Sequence, residues 1–207
     1  MFAISENVDK STLSEDAFSL IRLFQLLLLS LVILLSSCTQ SKLGCDDRWK
    51  ITGFYTPIES DFSNPNKSTI KLKSGTRQAF SADFLKAVRI EGWGRTRFGW
   101  YLGYYSKQWH RSNKPLNAKG NPLVIGVVAV DNRVVSKGTQ LSIPGLKSSF
   151  GIDQFIADDV GSGIKSRHVD VYTGEGNAAR EMTYKITGQQ KVCLVGAESK
   201  APVVDLT

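Results

Sequence analysis

Histidine and cysteine are scarce here. The 207 residues hold two of the first and three of the second, and none stands with carboxylates at ligand spacing. Neither a metal nor any other cofactor is therefore expected. Long apolar runs are also missing: the longest, Leu23–Leu35, has 13 residues, short of the ~20 that cross a bilayer comfortably. The chain is basic, +7 at neutral pH. It has no arginine-rich run and no RNA-binding signature, which argues against nucleic acid as a partner. Long amphipathic helical runs are few while glycines number 18, which favours a turn-rich β protein over a helical bundle. No internal repeat is countable by identity. A hydrophobic fraction of 42% over this length supports one domain with its own core.

The short apolar run has a specific setting. It follows Arg22 and ends in Ser36-Ser37-Cys38, the form of a secretory signal core. Leu35-Ser36-Ser37-Cys38 resembles the bacterial lipobox, whose cysteine is acylated and becomes the mature N-terminus. Residues 1–38 are thus expected to be a lipoprotein signal peptide, with a short membrane anchor and an incidental cysteine as the alternative. Several acyl chains on Cys38 would anchor the protein firmly, each buried methylene contributing ~0.8 kcal/mol. Thr39, rather than aspartate, follows the cysteine, which implies the outer membrane facing the periplasm. The stretch before Arg22 is long and acidic for a signal peptide, as if translation began nearer Arg22. Residues 1–38 carry two basic and four acidic side chains, so the remainder is +9, a charge suited to anionic lipid or to the carboxylate-bearing peptides of murein.

Cys45 and Cys193 are left as an even pair near the two ends of the exported part. Under oxidising conditions they would close a loop of about 150 residues, for which chain entropy gives at most about 5 kcal/mol. That pairing requires the first and last strands to be neighbours. Two unrelated thiols are the alternative.

Residues 39–48 read as a tether. Trp49–Pro57 is rich in aromatic and branched residues and ends at proline, as a strand does. Residues 58–68 are polar and turn-rich, and Thr69–Lys73 alternates as a short strand. Ser81–Val88 carries an N-cap serine and apolar residues three and four apart, which predicts a short helix. An aromatic-dense segment runs from Trp93 to Trp109, and residues 110–122 form a basic Asn/Pro/Gly loop. From Val124 to Val195 strands alternate with turns. Asn177–Met182 is the helical candidate in that part, and residues 197–207 read as a tail.

Three aspartates punctuate the last eighty residues, each at the end of an apolar run or beside one, and each near a turn. They are Asp131 in Ala129-Val130-Asp131, Asp159 in Ala157-Asp158-Asp159-Val160-Gly161, and Asp170 in His168-Val169-Asp170-Val171-Tyr172. Carboxylates at strand ends must be solvated or paired, so three of them mark a polar site on a β scaffold. Ala129-Val130-Asp131 before Gly138-Thr139, then Ala157–Lys165, then Asp170-Val171-Tyr172 resembles the three-aspartate (3D) domain of membrane-bound lytic murein transglycosylase A and of smaller cell-wall enzymes. Thr52-Gly53-Phe54-Tyr55-Thr56-Pro57 resembles the opening strand of the same family. The resemblance implies a mainly β chain: a single double-psi β-barrel domain over 49–196 with one or two short helices. Residues 120–195 would be its aspartate core and 58–120 an insertion forming one wall of a groove.

The activity implied is cleavage of the β-1,4 bond between N-acetylmuramic acid and N-acetylglucosamine, leaving a 1,6-anhydro sugar. Asp170 stands where the family's catalytic aspartate stands, as acid and then base. Asp159 would be its electrostatic and hydrogen-bonding partner, and Asp131 would fix the loop before Gly138-Thr139. Tyr55, Thr56, Trp100, Tyr104, Trp109, Gly161, Lys165 and Tyr172 are the expected substrate contacts. Some have a structural alternative: core packing for Trp100, Tyr104 and Trp109, a tight turn for Gly161, a solvated surface for Lys165. His168 reads as a packed or surface residue. The chain departs from the family at Asn132, Ser136, Lys137, Ser162 and Ser166, none of which removes a carboxylate. Two other functions remain open: a non-catalytic, expansin-like peptidoglycan-binding lipoprotein, and a structural lipoprotein whose aspartates only hold loops. The protein is expected to be a monomer in the cell envelope.

Overall fold

The computed structural model describes residues 42–195. The expected signal peptide over 1–38, Cys38 with it, and the expected tail over 197–207 lie outside the described residues. Among the described residues no helix is long and apolar enough to cross a membrane. The strands are β1 (Lys42–Thr56), β2 (Lys67–Lys71), β3 (Arg77–Ser81), β4 (Trp93–Arg95), β5 (Tyr101–Tyr105) and β6 (Gln108–Ser112). They continue with β7 (Val127–Val130), β8 (Gln140–Ser142), β9 (Gln154–Asp159), β10 (His168–Glu175) and β11 (Gly188–Val195). The α-helices are α1 (Ala82–Glu91), α2 (Lys147–Phe150) and α3 (Gly176–Ile186).

Six strands close a mixed barrel in the order β1-β10-β7-β9-β8-β11. β1 runs parallel to β10 and β7 parallel to β9, and the other four pairs are antiparallel. Side chains alternate across a strand, and here alternation separates core from site. Val169 and Val171 of β10, Val128 and Val130 of β7, and Trp49 and Ile51 of β1 fill the interior with Leu141, Phe155 and Val192. Asp170, Ala129 and Thr52 fall on the outer face, side by side, because Asp170 pairs with Thr52 on one flank and Ala129 on the other.

Two expectations need correction. The presumed tether 39–48 is strand from Lys42 onward, paired antiparallel with β11. Its polar run Asp46-Asp47-Arg48 hides that fate, since the partner that makes it a strand comes from the far end of the chain. Cys45 lies opposite Cys193 in this ladder and is bonded to it, with Cα atoms 4.1 Å apart. The structure also adds a third helix, α2, a single turn whose Lys-Ser-Ser-Phe shows no apolar period; it stops at Gly151 in the left-handed region, φ 72°.

Residues 58–112 build a second layer from the β2–β3 hairpin, the β4-β5-β6 sheet and α1. Helix α1 turns Phe84, Leu85 and Val88 inward onto Phe80, Trp100, Leu102 and Trp109, a core separate from that of the barrel. It runs three residues beyond the expected Val88 and ends where Gly92, φ 88°, donates its N–H to the Val88 carbonyl; such a left-handed cap suits glycine. The two layers are joined by a third cluster. Val127 and Tyr172 on the barrel's outer face pack there against Trp93 and Leu123, with Phe54 and Tyr101 at its margin.

α3 sits so close to β1 that Gly53 admits no side chain. A Cβ there would lie 2.8 Å from the Thr183 Cα, a backbone atom that cannot swing aside. Gly53→Ala is expected to cost about 1–3 kcal/mol, read as a lower midpoint in thermal unfolding; an unchanged midpoint would show that α3 yields freely.

Candidate functional site

An open cleft of about 780 Å³ lies between the outer face of the barrel and the second layer. Its floor is Asp170, Ala129 and Asp159, on the adjacent strands β10, β7 and β9. Ala129 pairs with both aspartates, so they flank it from two sides; strand spacing puts their Cα atoms roughly 10 Å apart. One wall is the C-terminal turn of α1 (Arg89 to Gly92) with Trp93 and the β5 end, Tyr104 to Ser106. The other is the loop from Leu116 to Leu123 with Val160, Gly161 and Ser162.

Asp170 is half-buried, and its Oδ1 accepts a 2.6 Å hydrogen bond from the Thr52 hydroxyl. That hydroxyl has one proton to give, so its 2.7 Å contact with His168 Nε2 is a bond it accepts. His168 is thus no bystander: it orients Thr52, which orients Asp170. Burial pushes the Asp170 carboxyl above its ordinary range; Thr52 opposes this, Asp159 adds to it and Lys50 lowers it. Asp159 is likewise raised by burial, against the Val160 and Ala118 amides that its Oδ1 accepts from at 2.9 and 2.8 Å.

Hydrogen bonds stabilise the ionised form of a carboxylate. Thr52→Val, which keeps the shape and loses the hydroxyl, should therefore move Asp170 further upward. Any activity that needs Asp170 protonated should then persist to higher pH, visible as an alkaline shift in the falling limb of the pH–rate profile. An unmoved limb would separate Thr52 from the site.

Asp131, by contrast, is away from the cleft. Its carboxylate accepts from the Arg133 guanidinium (2.9 and 2.7 Å) and from the Arg133 and Ser166 amides (3.1 and 2.9 Å). Those bonds, the guanidinium's first, hold it well below the usual carboxylate range. Arg133 belongs to the loop before Gly138-Thr139, so the carboxylate holds that loop and ties it to the loop at Ser166. The Ser166 loop needs holding, because Ser166 adopts φ 57°, unfavourable for a residue with a Cβ. Asp159 needs correction in one respect. It is the electrostatic neighbour of Asp170, but its hydrogen bonds go to main-chain amides.

The expected sugar contacts divide in the same way. Tyr104 and Gly161 line the cleft. Trp100 and Trp109 are buried in the second-layer core, and Tyr172 in the cluster joining the layers. Thr56 is buried against the Tyr172 hydroxyl at 2.9 Å, and Tyr55 is buried as well. Lys165 is exposed and away from the cleft. Aromatic identity alone does not say which face of a strand looks inward, and that is where these expectations failed. Arg89 links the cleft to that core: its guanidinium lies 5.5 Å from the ring centre of the half-buried Tyr104 and 5.2 Å from that of the buried Trp109, at the cleft edge.

Three features were not foreseen. The Leu116–Leu123 loop is pinned to β9 by Asn117 Nδ2 donating to Asp158 (2.9 Å), by Lys119 paired with Asp158, and by Ala118 N–H on Asp159. Tyr105 stands half exposed on the rim, stacked on His110 with ring centres 3.7 Å apart. Glu91 ends α1 inside the cleft, and its Oε2 accepts from the Tyr55 amide at 3.2 Å. The signal that could have found Glu91 is an acid directly before the glycine that ends a helix, where the helix dipole disfavours negative charge. Among the described residues, no group of three or more histidines, cysteines or carboxylates could hold a metal ion.

Residues 126–195 match the 3D domain; the closed barrel is accordingly a double-psi β-barrel. Among solved structures, the chain is similar to MltA from E. coli with bound chitohexaose. The TM-score is 0.55 and the identity 17%, covering 73% of this chain and 72% of that one. It is similar to the membrane-bound lytic murein transglycosylase from Agrobacterium tumefaciens at TM-score 0.54 and 14% identity, covering 72% of this chain and 74% of that one. MltA from Neisseria gonorrhoeae gives 0.51 and 13%, covering 75% and 74%. These identities speak for the fold, and the likeness extends well beyond the 3D stretch. No curated protein matches. The disulfide is consistent with an extracytoplasmic location.

Proposed function

We propose that the protein is a lytic murein transglycosylase of the cell envelope, anchored through Cys38 and facing the periplasm. The observation that carries this is Asp170: a half-buried carboxyl, raised by burial, on the floor of an open cleft in a 3D-domain barrel. Most glycosidases need two carboxyl groups, one of them to activate water. Here the nucleophile is the C6 hydroxyl of the muramic acid itself, already held near its own anomeric carbon. Protonated Asp170 gives its proton to the bridging oxygen as the C1–O bond breaks. The C6 oxygen closes on C1, and the Asp170 carboxylate takes the hydroxyl proton. The products are a 1,6-anhydro-muramyl end and a free C4 hydroxyl on N-acetylglucosamine, with Asp170 protonated again.

Asp159 supports this by resisting the ionisation of Asp170 across Ala129. The bound chitohexaose of E. coli MltA supports an N-acetylated glycan strand as the ligand. Aromatic and apolar rim groups, Tyr104 and Tyr105 among them, suit the C–H faces of sugar rings.

The test is to incubate the purified protein with murein sacculi and follow soluble fragments and sacculus binding together. Fragment release is expected. Binding without release would instead make the protein an expansin-like wall-binding module, and binding abolished by moderate salt would reduce the affinity to its net charge.

A further inference from the structure

We propose that Glu91 is a second working carboxyl of the cleft, one that binds the glycan as the neutral acid, donating its O–H to a carbonyl or hydroxyl oxygen of a sugar. This rests on the glycan reading above and adds a binding role that Asp170 does not fill. The geometry is unusual for a merely structural glutamate. Glu91 is half-buried at the C-terminal end of α1, lines the cleft wall, and has one protein hydrogen bond, from the Tyr55 amide to Oε2. Among the described residues it forms no ion pair with a lysine or arginine, while the other wholly or partly buried glutamates do: Glu59 with Arg97 and Glu175 with Arg95. A helix C-terminus disfavours a negative charge at that point. The second oxygen is left for the cleft.

The groups around Glu91 act in the same direction on balance. Burial comes first and pushes its carboxyl up to about 7; the Tyr55 amide opposes this, the Asp170 charge adds to it, and Arg180 lowers it. The remaining charged groups of the cleft are Arg89 on the same helix, Lys119 on the facing loop and Asp159 on β9.

The experiment measures chitohexaose affinity between pH 5.5 and 8.5 in an Asp170→Asn background, which binds without turnover. Burial, the leading cause, persists there. If only the protonated Glu91 binds, the dissociation constant rises at least tenfold across that range as the competent fraction falls. Glu91→Gln, which keeps an N–H donor and the acceptor for Tyr55, should bind as well as the parent at pH 5.5 and lose the pH dependence. Glu91→Ala should bind weakly at every pH. A flat parent profile would overturn the proposal, as would a Glu91→Gln protein that keeps the parent's dependence. An alanine variant that binds as tightly as the glutamine one would show that only charge matters, which also overturns it. No chitohexaose binding by the parent at any pH would instead bring down the glycan reading itself.

Discussion

Asp170→Asn is expected to lower the release of soluble fragments from sacculi by about 10²–10⁴-fold, the usual range for removing a general acid–base group. Asparagine preserves the shape and still accepts the Thr52 hydroxyl, so the site keeps its form and loses only the proton. Stability should not suffer. A carboxyl whose folded pKa is raised retains its proton more tightly in the native state than in the unfolded chain. Its ionisation therefore costs stability as pH rises from the unfolded value through the folded one. The asparagine protein should thus be at least as stable at neutral pH as the parent. Measuring fragment release and thermal midpoint on the same preparation separates chemistry from folding. Activity within tenfold of the parent, with the fold intact, would remove Asp170 from the mechanism and leave the cleft as a binding site.

The second large effect belongs to the Cys45–Cys193 bond. It ties β1 to β11 across a sequence separation of 148 residues, and with them closes the barrel seam. Losing such a native bridge typically costs 2–5 kcal/mol. For a domain of this size that is a fall in melting temperature of roughly 5–15 °C. Reduction by thiol, and the double change Cys45→Ser with Cys193→Ser, should give the same shift because both open the same loop. An unchanged midpoint would mean that the β1–β11 ladder holds the seam without help.

The same seam shows what a sequence does and does not reveal. Asp159 follows the buried Phe155 and Ala157 at period two, and only the register shift against β7 turns it to the outer face; Asp170 was legible because it sits between Val169 and Val171, where alternation places the carboxyl opposite the core. Trp49 to Pro57 was legible for the same reason. The start of β1 was not: its partner lies at the other end of the chain, and only the cysteine pair hinted at the contact. Trp100 and Trp109 were placed at the cleft because they are large and aromatic, yet the β5–β6 pairing and the docking of α1 turn them into the core. Glu91 went unnoticed because a helix-end glutamate ordinarily faces water. Its meaning comes from the wall that the second layer raises over Asp170.

The most direct measurement is the mass of the muropeptides released from sacculi by the purified protein. Attack by the C6 hydroxyl gives 1,6-anhydro-muramyl ends, each one water lighter than the hydrolytic product, and that is the expected result. Reducing muramyl ends would mean that water is the nucleophile, and would contradict the account in which Asp170 alone serves as acid and then base.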